Sequence, residues 1–144
     1  MRIVFDSNVL ARAHQRAKGP ARRALLQVVS SSDVLILSQY IFAELERILT
    51  YPRLLKRSGL SPDDIAQYLE RLGLVASLVT PEEVPKGLLR DATDAPILGT
   101  ALAGGADVLC TRDADFFEEN VQRFCADHGI RLLTDLEFLE TFKR

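Results

Sequence analysis

Tryptophan is absent from this 144-residue chain, methionine occurs once and cysteine only twice. Two cysteines cannot build the disulfide framework of a small secreted fold. No paired Cys/His spacing offers a zinc site either, so a reduced compartment is expected. No apolar run approaches the ~20 residues needed to span a bilayer. The opening Met1-Arg2-Ile3-Val4-Phe5 turns acidic at Asp6, far too early for the apolar region of a signal peptide. A cytoplasmic protein without membrane attachment is therefore expected. Also missing are a G-x-G-x-x-G turn, a P-loop and a G-x-S-x-G elbow. Their absence removes the sequence signatures of dinucleotide oxidoreductases, P-loop NTPases and α/β-hydrolases. No internal repeat, low-complexity run or Gly/Ser linker divides the chain.

What remains is an ordinary globular composition, 47% hydrophobic and 26% charged. Area scaling for this mass leaves roughly 7,400 Å² exposed from about 23,000 Å² in the unfolded chain. That suits one full core, and residues 1–144 read as a single domain. The formal net charge of −2 gives no overall attraction to a polyanion, but it is unevenly spread. Residues 1–57 hold 10 Lys/Arg against 4 Asp/Glu, and residues 58–144 hold 8 against 16. A basic region beside an acidic one suits a polyanionic substrate brought to a carboxylate-bound cation. Folding that intermixes the two halves would erase the contrast.

The chain alternates short apolar runs with helical stretches. Arg2–Phe5, Val34–Leu37, Leu74–Val79, Val108–Thr111 and Arg131–Leu133 read as five strands. A helix is expected from Asp6 through Ala17, broken by Gly19-Pro20, and another over Ala21–Ser30. Ser38 can cap a third helix that carries Ile41, Phe42, Leu45, Ile48 and Leu49 at core spacing. Ser61-Pro62-Asp63-Asp64 opens another, ending near Gly73. Residues 80–93 read as loop, Pro96–Ala103 as helix stopped by Gly104-Gly105, and Thr134 with Glu137 as a capping box. Strands alternating with helices imply parallel pairing through right-handed crossovers, hence an α/β sandwich. Ligands of such sheets bind beyond the strands' carboxyl ends.

Acids fall where that rule directs attention. Asp6 follows the first strand, and Asp113 lies two residues past Thr111 at the end of the fourth. Asp94 opens the helix feeding that strand, and Glu44 borders the apolar face of the Ser38-capped helix. Carboxylates gathered at one sheet edge suit a hard cation such as Mg²⁺ or Mn²⁺, which prefers oxygen ligands. A cation held there polarises phosphoryl oxygens and activates water. Taken singly, each acid has a plainer role: Asp6 and Asp94 as helix caps, Glu44 as a solvated rim residue, Asp113 and Asp115 as the start of a short helix. Their joint placement is harder to explain so, because crowded carboxylates raise one another's pKa and cost stability. His14 and His128 read as surface residues, and Cys110 and Cys125 as buried structural thiols.

Three motifs in order resemble the PIN domain family. Val4-Phe5-Asp6-Ser7-Asn8-Val9-Leu10 is similar to its opening, and Ser38-Gln39-Tyr40-Ile41-Phe42-Ala43-Glu44-Leu45 to the segment with its second acid. The run from Asp94 to Thr100-Ala101, followed by Gly105 to Phe116, is similar to its second half. The resemblance spans nearly the whole chain. It implies a three-layer α/β/α sandwich around a mostly parallel five-stranded sheet, and a Mg²⁺- or Mn²⁺-dependent ribonuclease site. By motif, Asp6, Glu44, Asp94 and Asp113 become the catalytic and metal-site acids, with Asp115 a further metal-site acid. Ser7, Asn8 and Thr111 become supporting hydrogen-bonding residues. Asp91, three residues before Asp94, competes for the third position, although Asp94 better matches the following Ile97-Thr100-Ala101 spacing. The nearest branch resembles prokaryotic single-domain toxins of toxin–antitoxin pairs, which implies an RNA substrate, an antitoxin partner and a homodimer. A catalytically silent PIN-like module that binds RNA or protein is the alternative. A phosphoaspartate phosphatase would need a second Asp where Asn8 stands. The basic stretch Thr50–Gly59 reads either as an RNA-phosphate contact or as a solvated helix–loop.

Overall fold

The hydrophobic runs become five parallel strands in a computed structural model that describes residues 1–143. The strands are β1 (Arg2–Phe5), β2 (Val34–Leu37), β3 (Ala76–Leu78), β4 (Val108–Cys110) and β5 (Arg131–Leu133), in the order β3-β2-β1-β4-β5. Every pairing is parallel, so the antiparallel allowance in "mostly parallel" is not used. Helices complete a three-layer α/β/α arrangement. They are α1 (Ser7–Ala11), α2 (Pro20–Val29), α3 (Gln39–Leu49), α4 (Pro52–Ser58), α5 (Pro62–Val75), α6 (Ala95–Ala103), α7 (Glu119–Asp127) and α8 (Asp135–Thr141). The central strands are fully covered: Ile3, Val4, Phe5, Ile36, Leu37, Val108, Leu109 and Cys110 expose nothing, as expected when helices lie on both faces of a parallel sheet. Among the described residues, no helix is long and apolar enough to cross a membrane.

Strand order reverses beside β1, because β2 and β3 extend to one side and β4 and β5 to the other. The crevice at the carboxyl ends of β1 and β4 is thus the switch point where parallel sheets hold ligands. Asp6 follows β1 directly, and Asp113 lies three residues beyond β4.

Local chemistry explains most element ends. Ser38 accepts the Ile41 amide at the start of α3. The Ser61–Asp64 and Thr134–Glu137 pairs both form complete capping boxes. α4 starts with proline and stops at Gly59, whose φ of 69° lies in the left-handed region open to glycine. The basic stretch is therefore a real helix.

Three expectations are corrected. The first helix stops at Ala11 rather than Ala17, where the Tyr68 hydroxyl donates to the Leu10 carbonyl at 2.6 Å. That carbonyl also accepts the Ala13 amide at 3.0 Å, a tighter last turn, so the Tyr68 hydroxyl stands in for the amide four residues on. His14, expected at the surface, is buried, 9% exposed, and burial beside Arg22 and Arg16 lowers its pKa. The third strand starts at Ala76, because α5 runs on to Val75 and leaves Leu74 and Val75 exposed.

Candidate metal centre

Four segments deliver carboxylates to the switch point. β1 ends at Asp6, which is 1% exposed and stands at the N-cap of α1 without making a side-chain cap. Its oxygens go elsewhere: the Thr111 hydroxyl donates to Oδ2 at 2.8 Å and the Ser7 hydroxyl to Oδ1 at 3.2 Å. The same Ser7 hydroxyl also contacts Glu44 Oε1, so Asp6 and Glu44 are joined through one serine. Thr111 is a second joint. While donating to Asp6, its oxygen accepts the Asp113 amide at 3.1 Å, which fixes the turn after β4 relative to β1. Asp113 in turn accepts the Asp115 amide at 3.0 Å and so caps the 3-10 turn Ala114–Phe117. Phe116 anchors that turn in the core.

Asp94 enters from the other side, at the end of the 3-10 turn Ala92–Asp94 that leads into α6. Asp94, Asp113 and Asp115 each offer a carboxylate oxygen within 4.8 Å of the other two. Asp6 and Glu44 are not members of that compact trio, but Asp6 is near enough for its charge to act on Asp94. Asp91 is separate in role: it accepts the Thr93 amide and hydroxyl, at 2.9 and 2.7 Å, and caps the turn that presents Asp94. These bonds lower its pKa. Of the plainer roles, the cap fails for Asp94, which makes no side-chain cap bond, and is secondary for Asp6, whose oxygens are held by Thr111 and Ser7, while Asp113 does begin a short 3-10 turn.

The electrostatics are those of a site built to be neutralised. Burial, and then the negative charge of Asp113, push the Asp94 pKa up to about 7. Burial is also the main cause of the raised pKa of Asp6, with Glu44 adding to it. Asp94 Oδ2 is buried without a hydrogen-bond partner among the described residues. A buried polar atom of this kind costs stability unless a ligand satisfies it. Three convergent carboxylates and one unsatisfied oxygen form an all-oxygen donor set, which fits Mg²⁺ or Mn²⁺.

A cavity of about 440 Å³ opens over these groups, lined by Asn8, Glu44, Asp91, Asp94 and Asp113 together with Arg47, Tyr51 and Leu54, and Arg47 lies 4.0 Å from Glu44. Sequence reasoning singled out the acids but missed Arg47 and Tyr51 as neighbours. Tyr51 stood only at the head of a basic stretch. Tyr40 is a further unforeseen support: its hydroxyl donates to the Thr93 carbonyl at 2.6 Å and so ties α3 to the Asp94 turn.

An all-parallel sheet of order 3-2-1-4-5 with acids at its switch point defines an α/β protein with a carboxylate-lined cleft. A sequence profile described as PIN domain matches residues 2–115, so the chain belongs to the PIN domain family. The matched span contains every acid of the cleft. No curated protein sequence matches the chain. Among solved structures it is similar to VapBC2 from Rickettsia felis, described as bound to a DNA fragment from their promoter. That likeness has a TM-score of 0.57 at 14% identity and covers 92% of this chain and 98% of that one. It is also similar to FitAcB from Neisseria gonorrhoeae, with a TM-score of 0.52 at 17% identity over 93% and 98% of the two chains. Identities this low speak to the fold.

Proposed function

We propose that this protein is a divalent-cation-dependent ribonuclease, and that it serves as the toxin of a toxin–antitoxin pair in the cytoplasm. The observation that carries the reading is the convergence of Asp94, Asp113 and Asp115 beside the Ser7-linked pair Asp6 and Glu44. The family resemblance supplies the RNA substrate. The shared fold with VapBC2 and FitAcB is the context for the antitoxin, and the homodimer rests on the family resemblance alone. The same reading treats residues 1–144 as one domain, since β5 extends the sheet that β1 centres.

In this reading Asp94, Asp113 and Asp115 hold Mg²⁺ or Mn²⁺, with Asp6 and Glu44 completing the negative wall. Such a cation, when bound, polarises a phosphoryl oxygen and lowers the pKa of a water near phosphorus. The chain's own part is to orient. Thr111 and Ser7 fix both oxygens of Asp6, and partners of this kind usually decide how firmly a carboxylate is presented. Asp94 must be unprotonated to act as a ligand, so cation affinity rises as pH rises through about 7. Asn8, exposed on the cavity wall, offers an amide to a substrate oxygen. Arg47 provides positive charge for a flanking phosphate.

The test is incubation with single-stranded RNA in Mn²⁺, in Mg²⁺ and in chelator, alongside Asp113→Asn. Cleavage should require the cation and fall at least a hundredfold in the variant. Undiminished cleavage in chelator removes the metal mechanism. Absence of Mn²⁺ binding at millimolar concentration by calorimetry makes the silent binding module the better account.

A further inference from the structure

The cleft presents an electrostatic problem for a polyanion. Glu44, Asp91, Asp94 and Asp113 all face the same space, and a cation offsets their charge only where it sits. Among the described residues Arg47 is the one cation lining that space, and it lies 4.0 Å from Glu44, so further affinity for the chain of nucleotides must come from beyond the acids. The residues that follow α3 supply it. Tyr51 and Leu54 line the acid cavity from the corner between α3 and α4. Tyr51 also lines a second cavity of about 330 Å³, whose other walls are Pro52, Arg53 and Lys56.

Tyr51 is therefore shared by an acidic cavity and a basic one. It is 57% exposed, and its hydroxyl has no hydrogen-bond partner among the described residues. Its backbone is firmly held nonetheless. The Tyr51 amide donates to the Ile48 carbonyl at 3.2 Å, and its carbonyl accepts the Leu54 and Leu55 amides at 3.0 Å. The following proline fixes the first turn of α4. A large exposed ring on a rigid corner, between a phosphate-reacting site and two cations, has the attributes of a stacking platform.

We propose that Tyr51 stacks an unpaired nucleobase next to the reacting phosphate, with Arg53 and Lys56 taking the phosphates beyond it, so that the cleft selects single-stranded polynucleotides. A base within a duplex has both faces covered by its neighbours and offers none to the ring. The proposal rests on the reading of the acids as a phosphodiester site and adds to it the residue that chooses the strand state. Stacking engages the base and not the sugar, so RNA and DNA strands use Tyr51 alike.

The experiment measures binding without hydrolysis, which separates its outcome from that of the nuclease reading. The full-length protein is titrated into an eight-nucleotide strand carrying one 2-aminopurine, in Ca²⁺ and in chelator, as ribo- and deoxyribo-oligonucleotide and as the matching duplexes. The single strands should bind at least tenfold more tightly than the duplexes, with the fluorophore quenched by the ring. Tyr51→Ala should weaken single-strand binding by roughly 5- to 150-fold, the range set by one stacked base, and abolish the quench. Tyr51→Phe and Tyr51→Trp should retain both. Arg53→Gln and Lys56→Gln should each lower the salt slope by about 0.7 and leave the quench in place. An unchanged affinity in Tyr51→Ala, equal affinity for duplex, or no oligonucleotide binding overturns the proposal. So does an antitoxin-like protein that needs Tyr51 where no strand does. The ring's exposure makes a folding failure of Tyr51→Ala unexpected, and Tyr51→Phe keeps the test decisive regardless.

Discussion

Asp94 carries the conflict between stability and chemistry in a single side chain. Its pKa, about 7, lies above the ordinary carboxylate value of 3.8. A group raised in this way stabilises the fold fully below its unfolded value, and that contribution is lost as pH rises through the folded value. The cation-free protein should therefore lose melting temperature between pH 5 and pH 8, and Asp94→Asn should flatten that loss. At pH 8 without divalent cation the variant should melt a few degrees higher than the parent, given the usual 2–4 °C per kcal/mol for a chain of this size. Adding Mn²⁺ should raise the parent's melting temperature and leave the variant's nearly unchanged. Thermal melts at three pH values check both statements. Parallel curves for the two proteins would show that Asp94 does not feel its neighbours.

At the scale of elements, the segment between β3 and α6 depends on one missing side chain. The Glu82 amide donates to the Gly99 carbonyl at 3.0 Å. A Cβ built on Gly99 would lie 2.2 Å from the Glu82 carbonyl oxygen. That backbone contact cannot yield as a flexible side chain would. Gly99→Ala should therefore displace the 80–91 segment, costing about 1–3 kcal/mol, and hasten tryptic cleavage at Lys86. Since Asp91 caps the turn that presents Asp94, cation affinity should fall with it. Proteolysis time courses with and without Mn²⁺ measure both effects. The elements themselves were largely legible in the chain. Four-residue apolar runs mark buried strands, and Ser38, Ser61 and Thr134 announce their helices. What escaped was decided by partners far away in sequence. The Tyr68 hydroxyl that meets the last turn of α1 comes from 58 residues beyond Leu10. Leu74 and Val75 look like strand yet finish an exposed helical turn. The acids were legible by their positions after strands. Tyr51 was not, because nothing near it in sequence reports which cavity it lines.

Across the whole molecule, the core has no chemistry to spare for redox. Cys110 lies in β4 and Cys125 in α7, both buried. Burial pushes the Cys125 thiol up to about 11 and raises that of Cys110 as well. Since the thiolate is the reactive form, neither should react with a disulfide or maleimide reagent at pH 8 in the folded protein. Both should react promptly in guanidinium. Rapid native labelling of one thiol would reveal an opening of the sheet or of α7 that the structure does not show.

The placement of β1 at the centre of the sheet has a consequence for how the protein is born. Asp6 is synthesised 105 positions ahead of Thr111, which holds its carboxylate. At ordinary translation rates that is a wait of roughly 5–20 s. Throughout it, the nascent chain has its first acid but neither its fourth strand nor the turn bearing Asp113 and Asp115. Any activity of the finished cleft is withheld from the machine that makes it until β4 and the turn after it have been synthesised.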